Sequence, residues 1–214
     1  MSDVDPWHLL RIRTAGLLAT VNLGQAYDHS KACPTCGAGA KPVPPLLADL
    51  ARMGKKPLDH SAHDGQLVTT RELADAMMGA GLTGFVARSV TRRRADLPDA
   101  GFAWLDVTVE WPRLAPASRV QIEDLCPSCQ RGGHFDVLHG GETQLVYDRV
   151  PPDAADLNAT WEYFGSWRPP AAMARKIPVG GARHVIVSER ARRLFVQRRV
   201  RWLDFEPVTL MRLQ

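Results

Sequence analysis

The sequence predicts an α+β fold: a mixed or mainly antiparallel sheet with helices on one face, stapled by a four-cysteine zinc site within one domain over residues 1–214. Three observations predict it. Residues 101–111 (GFAWLDVTVEW) set Leu105, Val107, Val109 and Trp111 on one side by strict alternation, the period of a strand whose sheet has one solvated face. Strand, helix and strand patterns follow one another twice along the chain. Two Cys-x-x-Cys pairs lie far apart, so a shared metal ion ties the N-terminal segment to the middle.

Taken in order, residues 15–23 (AGLLATVNL) form a buried strand or short helix that leads into the first cysteine pair. Prolines 42, 44, 45 and 57 bracket residues 46–51, which suits a short helix held between stiff connectors. Leu67-Val68 ends a strand, Thr69 caps a helix with Glu72 three residues on, and Leu73, Ala76 and Met77 share that helix's apolar face. Gly79 and Gly81 stop it, and Leu82 to Ala87 returns as a strand. Residues 143–150 (TQLVYDRV) read as a further strand. Near the C-terminus Val185-Ile186-Val187, a helix opened by Ser188, and residues 200–205 repeat the strand, helix and strand. Thr69 aligns with Ser188 at an offset of 188 − 69 = 119, whereas the cysteine pairs are 126 − 33 = 93 apart. The unequal offsets favour a shared supersecondary unit over a simple duplication.

Composition is that of an ordinary globular protein, with 45% hydrophobic and 23% charged residues. A formal net charge of +4 and a pI near 9.1 make the surface mildly basic without naming a partner. No run reaches the roughly 18 apolar residues of a membrane span. The N-terminus, Met1-Ser2-Asp3-Val4-Asp5-Pro6, is acidic where a secretory signal is positive, so the chain reads as cytoplasmic.

The candidate metal ligands are Cys33 and Cys36 in Cys-Pro-Thr-Cys-Gly and Cys126 and Cys129 in Cys-Pro-Ser-Cys-Gln. Two residues between ligands let one tight turn present both sulfurs to one ion, and four thiolates complete a tetrahedral zinc shell. Such a shell is closed, which makes the ion structural. Proline presets the turn, and Gly37 supplies a left-handed residue that lets N–H groups approach sulfur. The 126 − 36 − 1 = 89 residues between the pairs exceed those of a compact ribbon. Two sites completed by His29 on one side and His134 or His139 on the other, a metal-free chain, two disulfides and a redox pair remain the alternatives. Disulfides run against a cytoplasmic setting, and neither pair sits at the strand-to-helix junction of redox motifs.

No phosphate-binding P-loop and no nucleophile elbow occurs. Gly79, Gly81 and Gly84 match Gly-x-Gly-x-x-Gly, but after a helix and before a strand, the reverse of the dinucleotide-binding order. His60 and His63 lie in an Asp- and Gly-flanked loop, and Asp96, Asp99, Asp106, Glu110, Glu123 and Asp124 form no recognisable carboxylate pair. Two regions are candidates for binding a partner. Trp161, Tyr163 and Trp167 form the densest aromatic stretch, and Arg192 and Arg193 lie in a basic C-terminal helix. Arg92-Arg93-Arg94 and the C-terminal arginines also raise nucleic acid as a lesser alternative, with default roles as core-edge rings and a solvated basic face.

The two cysteine turns, together with Val185-Ile-Val-Ser-Glu-Arg190 running into Phe205-Glu206-Pro207-Val208, resemble the double-CxxCG motif family. That family is a paralogous set in myxobacteria and includes immunity proteins of swarming-inhibition toxin systems. The resemblance runs from about Cys33 to the C-terminus, and Gln130 departs from it where the motif has glycine. It implies a metal-stabilised cytoplasmic protein that binds and neutralises a cognate toxin and has no catalytic residues. The competing expectations are a nucleic-acid-binding zinc protein and an enzyme whose residues converge only in space.

Overall fold

The computed structural model describes residues 6–13, 24–53, 56–60, 65–92, 97–137, 142–166 and 181–211. They are mostly strands, with two helices. The first half runs β1 (Trp7–Ile12), β2 (Tyr27–Asp28), β3 (Lys41–Pro42), β4 (Leu46–Ala48), β5 (Leu58–His60), β6 (Leu67–Thr70), α1 (Arg71–Gly79), β7 (Phe85–Arg88) and β8 (Val90–Arg92). The second runs β9 (Phe102–Val107), β10 (Gln121–Ile122), β11 (Gly132–Phe135), β12 (Val146–Tyr147), β13 (Leu157–Ala159), β14 (Tyr163–Phe164), β15 (Val185–Ser188), α2 (Glu189–Gln197), β16 (Leu203–Pro207) and β17 (Thr209–Leu210).

The expected single sheet is instead two four-stranded sheets, β5-β6-β9-β7 and β13-β15-β1-β16, with every neighbour antiparallel. They repeat each other residue for residue. A shift of 188 − 70 = 118 lays β6, α1 and β7 on β15, α2 and β16, and each four-residue strand leads into a nine-residue helix. Thr70 opposes Phe102 as Ser188 opposes Trp7, and Phe85 opposes Val107 as Leu203 opposes Ile12. Leu58 opposes Thr69 as Leu157 opposes Val187. Small parallel ladders match too: Leu47 pairs with Thr91, and Val146 with Thr209.

The opening strands are exchanged. β1 starts the first half but completes the second half's sheet, and β9 starts the second half but completes the first's. The chain is therefore a two-fold structural repeat with swapped strands, which corrects the expectation drawn from unequal offsets. Offsets differ because the loops between matching elements differ in length, while the ladders keep their register.

The core repeats in the same way. Leu10 and Leu105, Leu58 and Leu157, Leu67 and Val185, Leu73 and Ala191, and Met77 and Phe195 are matching pairs in one central cluster that receives both helices and both sheets. Each sheet's other face carries its own cluster. Leu46, Ala48, Val68 and Trp104 on one side correspond to Leu145, Tyr147, Ile186 and Leu9 on the other.

This layering explains where the sequence misleads. In β9 Ala103, Trp104, Leu105 and Asp106 are all buried, because Leu105 enters the central cluster and Trp104 an outer one. A strand covered on both faces loses the expected alternation. Residues 46–51 form no α-helix: β4 pairs with β8, and a short 3-10 turn, Leu50–Arg52, follows. Six residues are too few to offset helix nucleation. The α1 cap is Thr70 rather than Thr69: its side chain accepts from Leu73 N, as Ser188 accepts from Ala191 N in α2. Thr69 is buried and donates to Pro57 O at 2.7 Å. The stretch 15–23, His63, Arg93, Arg94, Asp96, His139 and Trp167 lie outside the described residues. Among those described, no helix is long and apolar enough to cross a membrane.

Candidate metal centre

Each cysteine pair sits in the turn of a hairpin, β2–β3 for Cys33 and Cys36 and β10–β11 for Cys126 and Cys129. The turns share one backbone. Gly37 N donates to Cys33 O, and Gln130 N to Cys126 O, both at 2.8 Å. Gly37 has φ 75° and Gln130 has φ 58°, so Gln130 adopts the left-handed conformation at the motif's glycine position. The departure seen in the sequence thus changes the residue and keeps the turn, at a steric cost that glycine avoids.

Matching residues meet. Cys33 Sγ lies 4.0 Å from Cys126 Sγ and Cys36 Sγ 3.5 Å from Cys129 Sγ, while the hydroxyls of Thr35 and Ser128 hydrogen-bond between them. All four sulfurs fall within 4.8 Å of one another. A tetrahedron with metal–sulfur bonds of about 2.3 Å has edges of about 3.8 Å, so the cluster fits a four-thiolate ion. Disulfide sulfurs stand about 2.05 Å apart, and these four are free thiols.

Cys36 and Cys126 are buried and pack with Ala38 and Tyr163. Burial pushes the Cys33 thiol up, but N–H groups of Cys36 and Thr35 outweigh it and bring it down to about 7. Burial raises Cys36 and Cys129. Ala38 N also donates to Cys36 Sγ at 3.5 Å. An ion held here would keep all four cysteines as thiolates, their protons released on binding.

Among the described residues no histidine joins this or any other ligand group. His134 is buried, with Nδ1 3.2 Å from Arg131 O, and the His29 ring lies beside Tyr27. Within the aromatic stretch Tyr163 serves the scaffold: it is buried and its hydroxyl accepts from Gly39 N at 2.9 Å, tying down the first cysteine hairpin. Trp161 is half-buried, with Arg113 stacked over it at 4.1 Å and Arg131 at 5.1 Å. Tyr163 is thus a correction to the exposed-anchor expectation, since its ring is needed where the sulfurs pack. Arg192 and Arg193 both grip Glu189, at 2.6 and 2.9 Å. Arg92 pairs with Asp99.

Sequence reasoning missed Tyr163, Thr35, Ser128 and Arg131 as supports of the centre. Arg131 and Arg183 converge on Glu110, beside a cavity of about 220 Å³ that Lys31, Lys41 and Tyr163 also line. The hydroxyls were visible only as the shared Ser or Thr of Cys-Pro-(Ser/Thr)-Cys. A second cluster also escaped notice: Asp136 accepts from Arg11 at 2.8 and 2.9 Å and lies 3.1 Å from His184 Nε2.

In comparison with known proteins, no family model and no curated protein matches the chain.

Proposed function

We propose that this α+β chain is a non-enzymatic binding protein, that its four cysteines hold one structural zinc ion, and that it captures and neutralises a cognate toxin in the cytoplasm. The observation that carries the reading is the position of the sulfurs. Equivalent turns of two strand-exchanged repeats meet there, so an ion bound by all four joins the halves where, among the described residues, two small hairpins and Tyr163 come together. Four thiolates leave no coordination site for a reacting water, which makes the ion a clasp. Cysteines that hold a metal ion rather than form disulfides fit a reducing compartment. The ion then supplies shape, and the double-CxxCG resemblance supports a toxin as the client.

Elemental analysis of protein purified without added zinc tests the first part: one zinc per chain is expected, lost in both Cys33→Ser and Cys126→Ser. Two ions lost independently would overturn the shared clasp. Co-expression with the product encoded next to it tests the second part, and a 1:1 complex that suppresses that product's toxicity is expected. Absence of a complex removes the toxin reading.

A further inference from the structure

The turn after each helix occurs twice and is put to two uses. After α1 the chain reads Ala80-Gly81-Leu82-Thr83-Gly84, and after α2 it reads Arg198-Arg199-Val200-Arg201-Trp202. The backbone is the same. Leu82 N donates to Met77 O at 3.0 Å and Val200 N to Phe195 O at 2.9 Å. Both turns are left-handed at the same two places, with φ 69° and 89° at Gly81 and Gly84 and φ 51° and 70° at Arg199 and Trp202. Glycine accepts this conformation freely, and arginine and tryptophan do not.

The first copy is packed. A Cβ on Gly84 would lie 2.0 Å from Leu157 O, Thr83 N donates to Asp156, and the Arg190 guanidinium donates to Ala80 O. The second copy faces solvent. Arg198, Arg199 and Arg201 are exposed and form no ion pair with a described residue, and Trp202 is 56% exposed. Val196, six residues earlier, is also 56% exposed. The helix's other arginines are engaged within the fold, Arg192 and Arg193 by Glu189 and Arg190 by Asp156. Among the described residues, packing therefore gives no reason for bulky side chains at the two left-handed positions, where strain without a structural return marks a functional surface.

Resting on the reading of the chain as a binding protein, we propose that this turn is its docking surface and that the occupant is an acidic segment of a partner protein. Carboxylates of that segment meet Arg198, Arg199 and Arg201, and an apolar side chain covers Trp202 and Val196. Arginine beside tryptophan is the composition of interface hot spots. Three guanidinium groups on one turn bracket a carboxylate cluster, whereas salt-sensitive nucleic-acid binding draws on a longer track of phosphate contacts.

The test titrates the full-length, metal-loaded protein against a labelled Asp/Glu-rich peptide carrying one phenylalanine, with single-stranded DNA of equal charge in parallel. Peptide binding is expected, weakened at least about tenfold in an Arg198→Ala/Arg199→Gly/Arg201→Ala variant and unchanged in Arg192→Ala/Arg193→Ala. Trp202→Gly is expected to weaken the peptide and raise the melting temperature together, a pairing that a purely structural role does not produce. Failure of the peptide to bind, equal binding by the triple variant, or tighter binding of DNA through the same arginines overturns the proposal. Capture of the toxin by a chain that ignores the peptide overturns this surface alone, and peptide binding without capture overturns the toxin reading alone.

Discussion

The two halves of the molecule share ladders, caps and turns, yet different side chains stand at matching positions, in the core, where Met77 matches Phe195, as well as at the surface. Gly84 is confined by Leu157 O, and its counterpart Trp202 stands in solvent. Gly37 and Gln130 hold the same left-handed turn beside the sulfurs. Backbone geometry, set by hydrogen-bond registers, outlasts side-chain identity, because many side chains fit one register and few registers fit one core.

The sharpest way to break the symmetry is at the clasp. Cys126→Ser, at a fully buried sulfur, is expected to eject the metal and cost more than about 4 kcal/mol of stability in denaturant unfolding. A loss equal to that of a buried thiol alone would show that the halves hold without an ion.

The clusters divide next. Leu105→Ala removes a side chain from the shared core and is expected to cost about 2–5 kcal/mol and lower amide protection in both halves. Leu46→Ala, in one outer cluster, is expected to cost a similar amount while lowering protection mainly around β4 and β8. Identical protection maps would contradict a shared core with separate outer ones.

Acid is expected to act unevenly on the repeat. Burial lowers the pKa values of His60, His134 and His184, and two of these positions are matched by Ala159 and Gln66, which do not titrate. Below the ordinary histidine value of about 6.5 the unfolded chain binds more protons than the folded one, so stability falls with pH from there toward the lowered folded values. Burial works against the Asp136 carboxylate, but His184 and Arg11 hold it well below the usual range, which adds a loss of the same sign at lower pH. His184→Gln, which installs the matching residue, is expected to flatten the slope of melting temperature between pH 7 and 5. An unchanged slope would remove His184 from the account.

The smallest effect sharpens the comparison of the cysteine turns. Gln130→Gly is expected to stabilise by about 0.5–1 kcal/mol, and Gly37→Ala to destabilise by about 1 kcal/mol or more. Destabilisation by Gln130→Gly, or a neutral Gly37→Ala, would show that these two turns do not share one backbone requirement.

What the sequence determined by itself is local. Two residues between cysteines dictate a turn that presents both sulfurs, and Ser188 ahead of an apolar stripe dictates the start of α2, because caps and tight turns are decided within a few residues. The meeting of the two cysteine pairs was legible in their spacing, but the tertiary structure alone decided that Cys33 faces Cys126 and Cys36 faces Cys129, that β1 and β9 change places, that Trp104 and Leu105 are both buried, and that Tyr163 supports the cysteine hairpin. Loops of unequal length hide a repeat from any single offset, and a strand's second face is known only once something packs on it. Local hydrogen bonds are written in neighbouring residues, whereas exchange and burial depend on surfaces that exist only after the halves have met.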